Sequence, residues 1–180
     1  MELRAELEGK RIAILVDTLY QEMEVWYPLF RLQEAGAEVV LVAAEAGKTY
    51  TSKLGYPAKS DRCYDTLSAK DFDGVVIPGG YAPDHMRRSE DLLRFVRGID
   101  DQGKTVAAIC HAPWVTVSAG IMKGRRATCV PAIKDDVINA GAEYVDQAVV
   151  VDGNLITSRR PDDLPAFLPA LIELIAAQES

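Results

Sequence analysis

The sequence predicts an α/β domain built on a mainly parallel sheet covered by helices on both faces. Three observations predict it: short β-branched apolar runs recur along the chain, each precedes a segment of helical apolar spacing, and glycines close those segments. Parallel neighbours require crossovers, so right-handed βα units are implied. At 180 residues, 48% of them apolar, the chain has the size of one domain (1–180) with one core.

Arg11 to Val16 (RIAILV) reads as a buried strand before the polar Asp17 and Thr18. From Glu22 to Ala35 the residues Val25, Leu29 and Leu32, with Trp26 and Phe30, recur at helical spacing, and Gly36 is a natural C-terminal stop. Glu38 to Ala43 and Gly74 to Pro78 are the next strands, and Ser89 to Asp101 is a helix closed by Gly103. Thr105 to Ile109 (TVAAI) is a third buried run. Helices follow at Ala112 to Ala119, Ile133 to Ala140 and Asp163 to Ala177, the first two ended by Gly120 and Gly141. Between Gly47 and Ala69 the pattern weakens. Within Tyr144 to Ser158, two short runs joined by Asp152, Gly153 and Asn154 predict a small β-hairpin.

Composition narrows the function classes. Acidic residues outnumber basic ones by 27 to 20, and no Lys/Arg cluster is longer than a pair, so no nucleic acid is expected as partner. Met1 to Lys10 carries charges where a signal peptide needs an apolar run, and no segment approaches the roughly 20 apolar residues of a membrane span. A cytoplasmic protein with no membrane contact is expected. Cys63, Cys110 and Cys129 are an odd number without a C-x-x-C pair, which speaks against a disulfide framework or zinc knuckle. Without a glycine-rich phosphate motif, and with two separated histidines lacking metal spacing, no metal or cofactor is expected.

Cys110 ends a buried strand and precedes a helix, so the turn between them should lift its side chain to the carboxyl edge of the sheet, where open α/β folds bind ligands. Ala108 and Ala112 flank it at the small-x-nucleophile-x-small spacing of a nucleophile elbow. A helix N-terminus favours an anion, so Cys110 is expected to tend toward thiolate. Cys63 and Cys129 lack this context and read as inert packing thiols.

His111 is the candidate base, against the plain alternative of a helix-start histidine bonded to backbone. Gly79 and Gly80, after the GVVIP run, free the backbone to aim N–H groups at an oxyanion, although Gly-Gly after a strand is more often a turn. Glu24 opens the first helix on the same edge, where an acidic residue ordinarily complements the helix dipole. Pro28 cannot donate the hydrogen bond that the Glu24 carbonyl would accept, and a carboxyl facing a thiolate would hold its proton and donate to sulfur. Asp84 and His85 follow the glycine turn; either could orient His111, within the chain or across an interface, or Asp84 could cap the DHMRR segment.

With these residues in hand, the sequence closely resembles the PfpI intracellular-protease branch of the ThiJ superfamily, which shares its fold with class I glutamine amidotransferases. The resemblance runs from about Lys10 to the last helix, through MEVWYPLFRLQEAGAEV, VVIPGGYAPDHMR, VAAICHAPWVTVSAGI, IKDDVINAGAEYVD and VVVDGNLITSRRPDDL. It implies a flavodoxin-like three-layer sandwich with Cys110 as nucleophile, His111 as its partner, Glu24 against the sulfur, and amides of Gly80 and His111 as oxyanion donors. It also implies a third acidic member reaching in from an adjacent subunit, at the position held here by Asp84, and hence a homodimer or homohexamer. The tyrosine usual before the proline of P-x-I-K-D-D is replaced by Val130. The implied activities are intracellular peptidase, glyoxalase III or deglycase on methylglyoxal-type aldehydes and their protein adducts, with a small carbonyl compound or peptide as substrate. The competing class is a redox sensor or chaperone with an oxidisable Cys110.

Overall fold

A computed structural model describes residues 6–178; the start of the charged stretch Met1 to Lys10 lies outside the described residues. Its order along the chain is β1 (Arg11–Leu15), α1 (Glu22–Glu34), β2 (Glu38–Ala43), β3 (Thr49–Thr51), β4 (Pro57–Lys59), β5 (Arg62–Cys63), β6 (Gly74–Ile77), α2 (Ala82–Met86), α3 (Glu90–Asp101) and β7 (Thr105–Ile109). There follow α4 (Pro113–Ser118), β8 (Arg126–Ala127), α5 (Lys134–Asn139), β9 (Glu143–Tyr144), β10 (Val149–Asp152), β11 (Leu155–Ser158) and α6 (Leu164–Ala176).

The main sheet runs β10-β11-β7-β6-β1-β2-β5, parallel except for β10 against β11. Ile12 pairs with Val39 on one side and Gly74 on the other, and Ile77 pairs with Ala108. Strands shielded on both faces need no polar alternation, and β6 and β7 are buried at every position. Helices α1 and α6 pack together on one side of the sheet, while α2, α3, α4 and α5 contact one another on the other. The result is the flavodoxin-like α/β sandwich the sequence predicts. Among the described residues no helix is long and apolar enough to cross a membrane.

Each helix that positions the site starts for a local reason. Gln21 caps α1 by accepting from Met23 N–H at 2.7 Å, and Glu22 and Glu24 sit in its first turn, where carboxyls complement the dipole. Val25, Leu29 and Leu32 turn inward and the helix continues through Pro28. Phe30, adjacent to Leu29, is 61% exposed and does not share that face. The hairpin at Gly153 and Asn154 forms as expected, but as the edge of the main sheet.

The weakly patterned stretch between Gly47 and Ala69 holds more structure than its sequence reveals. β3 and β4 form an antiparallel hairpin in which Tyr50 and Ala58 are buried between exposed neighbours, and β5 extends the main sheet. Three-residue strands are too short to establish a readable period.

Candidate active site

The chain crosses the sheet between β1 and β6: β2 lies on one side of β1, while β6 and β7 follow on the other. At such a reversal the loops leaving the strands diverge and leave a crevice at their carboxyl ends. The loop after β1 leads to Glu24, that after β6 carries Gly79 and Gly80, and that after β7 is Cys110 itself.

Cys110 has φ of 65°, the left-handed region that a side chain with a Cβ adopts only when its surroundings compel it. Two backbone bonds do so: Cys110 N–H donates to the Ser158 carbonyl at 3.0 Å, and Val130 N–H donates to the Cys110 carbonyl at 3.1 Å. Ala108 and Ala112 are fully buried beside it, where larger side chains would have no room. Val130, where the resemblance leads one to expect a tyrosine, thus contributes its backbone to the elbow.

Gly79 is wedged beneath the sulfur. A Cβ added there would lie 2.7 Å from Cys110 Cβ, 2.7 Å from Glu24 Oε2 and 3.0 Å from His111 N. Its N–H donates to Glu24 Oε2 at 2.6 Å. This corrects the expectation that Gly79 supplies an oxyanion donor: its amide is already occupied by Glu24, and its contribution is the space it leaves. The Gly80 and His111 amides point to Cys110 Sγ instead. Gly80 has φ of 76°, and a Cβ there would run into the Leu19 carbonyl and Gln21 N.

Glu24 is fully buried, and burial pushes its carboxyl up to about 8, against smaller opposing effects of the Gly79 N–H and the Cys110 thiol. It therefore holds its proton at neutral pH. Oε1, the oxygen Gly79 does not engage, has no hydrogen-bond partner among the described residues and is where the proton belongs.

Burial likewise pushes the Cys110 thiol up to about 12, an ionised Glu24 adding to the effect and the Gly80 and His111 amides opposing it. Burial thus works against the expected standing thiolate. Helix α4 begins only at Pro113, and loss of water around the sulfur outweighs what its six residues can offer. Since Glu24 is neutral below about pH 8, its repulsion is absent there and a sulfur anion formed during reaction would meet the two N–H donors of Gly80 and His111.

His111 Nδ1 lies 3.4 Å from Cys110 Sγ. Burial, then the positive charge of Lys53, lowers the histidine's affinity for protons, so at neutral pH the imidazole is free to accept one. Its ring stacks edge-on against Trp114 at 5.4 Å between centroids, and Trp114 Nε1 donates to Asp136 Oδ2 at 2.8 Å. Packing, with no carboxylate in reach among the described residues, orients this ring.

Asp84 and His85 are not brought to the sulfur. Tyr81 caps α2, so Asp84 is not the N-cap; its carboxylate faces outward and pairs with Arg88 one turn on. His85 Nδ1 lies 3.8 Å from Asp17. Within this chain neither orients His111. Cys129 is buried, and the half-buried Cys63 donates its S–H to the Ala44 carbonyl at 2.7 Å.

A hollow of about 180 Å³ opens over the sulfur, walled by Cys110, His111, Gly80, Tyr81, Gln21 and Lys53. A larger groove of about 530 Å³ runs between α1 and the β3–β4 turn, but Met23, Trp26, Phe30 and Leu54 line it and, among the described residues, neither a cysteine nor a histidine does. The smaller hollow is therefore the candidate site. Lys53, Gln21 and Tyr81 escape sequence reasoning; the S-K-L-G-Y run signals a turn, but nothing in it says where that turn lands.

The family model described as DJ-1/PfpI family matches residues 10–174. The chain is 42% identical to Deglycase PH1704 of Pyrococcus horikoshii over 92% of its own length and 99% of that protein's. It is 41% identical to Protein/nucleic acid deglycase 2 of Escherichia coli over 94% and 99% of the two chains. Among solved structures, a two-domain protein from Anabaena variabilis containing DJ-1/ThiJ/PfpI-like and ferritin-like domains superposes with a TM-score of 0.90 at 43% identity. That match covers 92% of this chain and 48% of the two-domain one.

Proposed function

The chain belongs to the DJ-1/PfpI family, and from that premise we propose that it is a cysteine-dependent enzyme acting on small carbonyl compounds: 2-oxoaldehydes of the methylglyoxal type and the adducts they leave on proteins. The observation that carries this reading is the thiol of a left-handed residue at a strand end, 3.4 Å from an imidazole nitrogen, in a hollow of about 180 Å³. That space holds about six waters' volume, which suits a small carbonyl better than the side chains of a polypeptide. The naming of relatives as deglycases supports the same reading.

In the proposed mechanism, His111 Nδ1 takes the S–H proton as Cys110 Sγ bonds to the aldehyde carbon. The carbonyl electron pair moves to oxygen, and the backbone amides of Gly80 and His111, which point to Cys110 Sγ, are the proposed donors to that charge. Through a base, the aldehyde carbon loses its hydrogen as a proton and the neighbouring carbonyl carbon gains one. The first carbon is thereby oxidised to a thioester and the second reduced to an alcohol. Water cleaves the thioester, releasing a 2-hydroxy acid and restoring the thiol, so no outside oxidant or reductant takes part.

The test offers methylglyoxal, and separately a casein or short-peptide panel, to the wild type and Cys110→Ala, while peroxide-treated protein is weighed intact. Conversion of methylglyoxal to lactate that Cys110→Ala abolishes is the expected result. Peptide cleavage without lactate moves the assignment to a PfpI-type peptidase. No turnover, with a gain of two oxygens at one cysteine, moves it to a redox sensor.

A further inference from the structure

Lys53 stands where the proposed chemistry does not require a charge. It projects from the β3–β4 turn, and that turn is tied down beside the site. Lys53 N–H donates to the Tyr20 carbonyl at 3.0 Å, Leu19 N–H donates to the Thr51 carbonyl at 2.7 Å, and Glu22 Oε1 accepts from Leu54 N–H at 2.6 Å and from Ser52 Oγ. The turn is thus fixed to the loop leaving β1, and Lys53 becomes part of the hollow's wall with Cys110 and His111.

No acidic side chain lies within ion-pair distance of its ammonium among the described residues. The remaining wall is uncharged at neutral pH: Gln21, Gly80, Tyr81 and Pro161 carry no charge, and Cys110 and His111 rest as thiol and neutral imidazole. Its charge is felt by Glu22, Glu24 and His111, whose affinity for protons it lowers. A cation with no carboxylate in ion-pair contact among the described residues, sharing the wall of a small hollow with a nucleophile, leaves room for a ligand whose two ends differ: a carbonyl and an anion.

We propose that Lys53 is a specificity-determining residue, selecting 2-oxoaldehydes that end in a carboxylate by pairing with that carboxylate while the aldehyde carbon meets Cys110 Sγ. This deepens the carbonyl-directed reading above and rests on it. A five-carbon compound such as 4,5-dioxopentanoate has the required ends, and the balanced rearrangement already described converts it with water to 2-hydroxyglutarate.

Two measurements test it. The first needs no turnover: alkylation of Cys110 by anionic iodoacetate and by neutral iodoacetamide, followed by intact mass, with Cys110→Ala to subtract Cys63. In both reactions sulfur bonds to the methylene carbon and iodide leaves, so the ratio of the two rates cancels any change in thiol acidity. In Lys53→Gln the iodoacetate-to-iodoacetamide ratio should fall about fivefold to tenfold, as expected for losing one charge near an anion in a partly solvated site. Lys53→Arg should restore it, and the iodoacetamide rate reports that the variant site is intact. An unchanged ratio overturns the proposal, as does a change in both rates that leaves the ratio fixed.

The second compares kcat/KM for 4,5-dioxopentanoate and methylglyoxal. The wild type should favour the anionic compound, and Lys53→Gln should lose that preference, read as the ratio of the two kcat/KM values, in which any change at His111 or Glu24 acts on both compounds alike. Equal losses on both compounds overturn the proposal. If neither is converted while the alkylation ratio behaves as expected, anion selection by Lys53 is supported and the carbonyl-directed function is what fails.

Discussion

Glu24→Gln should stabilise the protein, and increasingly so as pH rises. Glutamine has the shape of a protonated glutamate, so its amide oxygen can accept from Gly79 N–H as Oε2 does at 2.6 Å, and its NH₂ takes the place of the O–H. What it lacks is the cost of burying a charge. The folded chain raises the Glu24 carboxyl from 4.5 to about 8 through burial. Stability from that group is therefore complete below pH 4.5 and is lost as pH rises through about 8. Eight minus 4.5 is about 3.5 pH units, which at about 1.4 kcal/mol each amounts to about 5 kcal/mol in full. By pH 7 the part already lost is about 3 kcal/mol. Urea unfolding of the wild type and Glu24→Gln at pH 5, 7 and 8.5 measures it directly. The two proteins should differ little at pH 5, and the variant should lead by about 3 kcal/mol at pH 7. A variant that is less stable by the same amount at every pH would show that the carboxylate, not the carboxylic acid, is the native form, and the reasoning would fail.

Gly79→Ala should cost about 1–3 kcal/mol of stability, because its Cβ meets Cys110 and Glu24 at 2.7 Å, and should slow iodoacetamide at Cys110; thermal unfolding and alkylation on the same sample check both. His111→Ala should lower kcat/KM on methylglyoxal by about 10²–10⁴-fold. In the wild type the same rate should rise with pH, reaching half its plateau below 6.5, since burial lowers the imidazole pKa and its neutral form is the acceptor; a rate that falls across that range refutes the role. Asp84→Asn should change unfolding free energy by less than about 1 kcal/mol, given that its pair with Arg88 is solvent-exposed; a larger loss would mean that the carboxylate has a structural partner beyond Arg88.

The elements that carry the site were legible in the sequence because their signals are local. Apolar runs such as TVAAI and GVVI need no alternation when both faces are covered, and a cysteine between a buried run and a helical segment announces an elbow from its neighbours alone. The motifs around Cys110, Gly79 and Glu24 carried the family in the same way. Properties that arise from contacts between distant segments were decided only by the tertiary structure. The protonation of Cys110 and Glu24 depends on how much water the whole fold removes, and that burial overrides the helix-terminal preference visible in the sequence. Gly79 donates its N–H to a carboxyl group 55 residues away, so its two candidate roles could not be separated by spacing. Asp84 was drawn to Arg88, a partner one turn along its own segment, and away from His111. Lys53 lay in a stretch without readable period and came to line the hollow over Cys110 only because Glu22 and Tyr20 anchor its turn. Periodicity describes how a segment presents its own faces; charge, solvent and reach are set by whatever the rest of the chain folds against it.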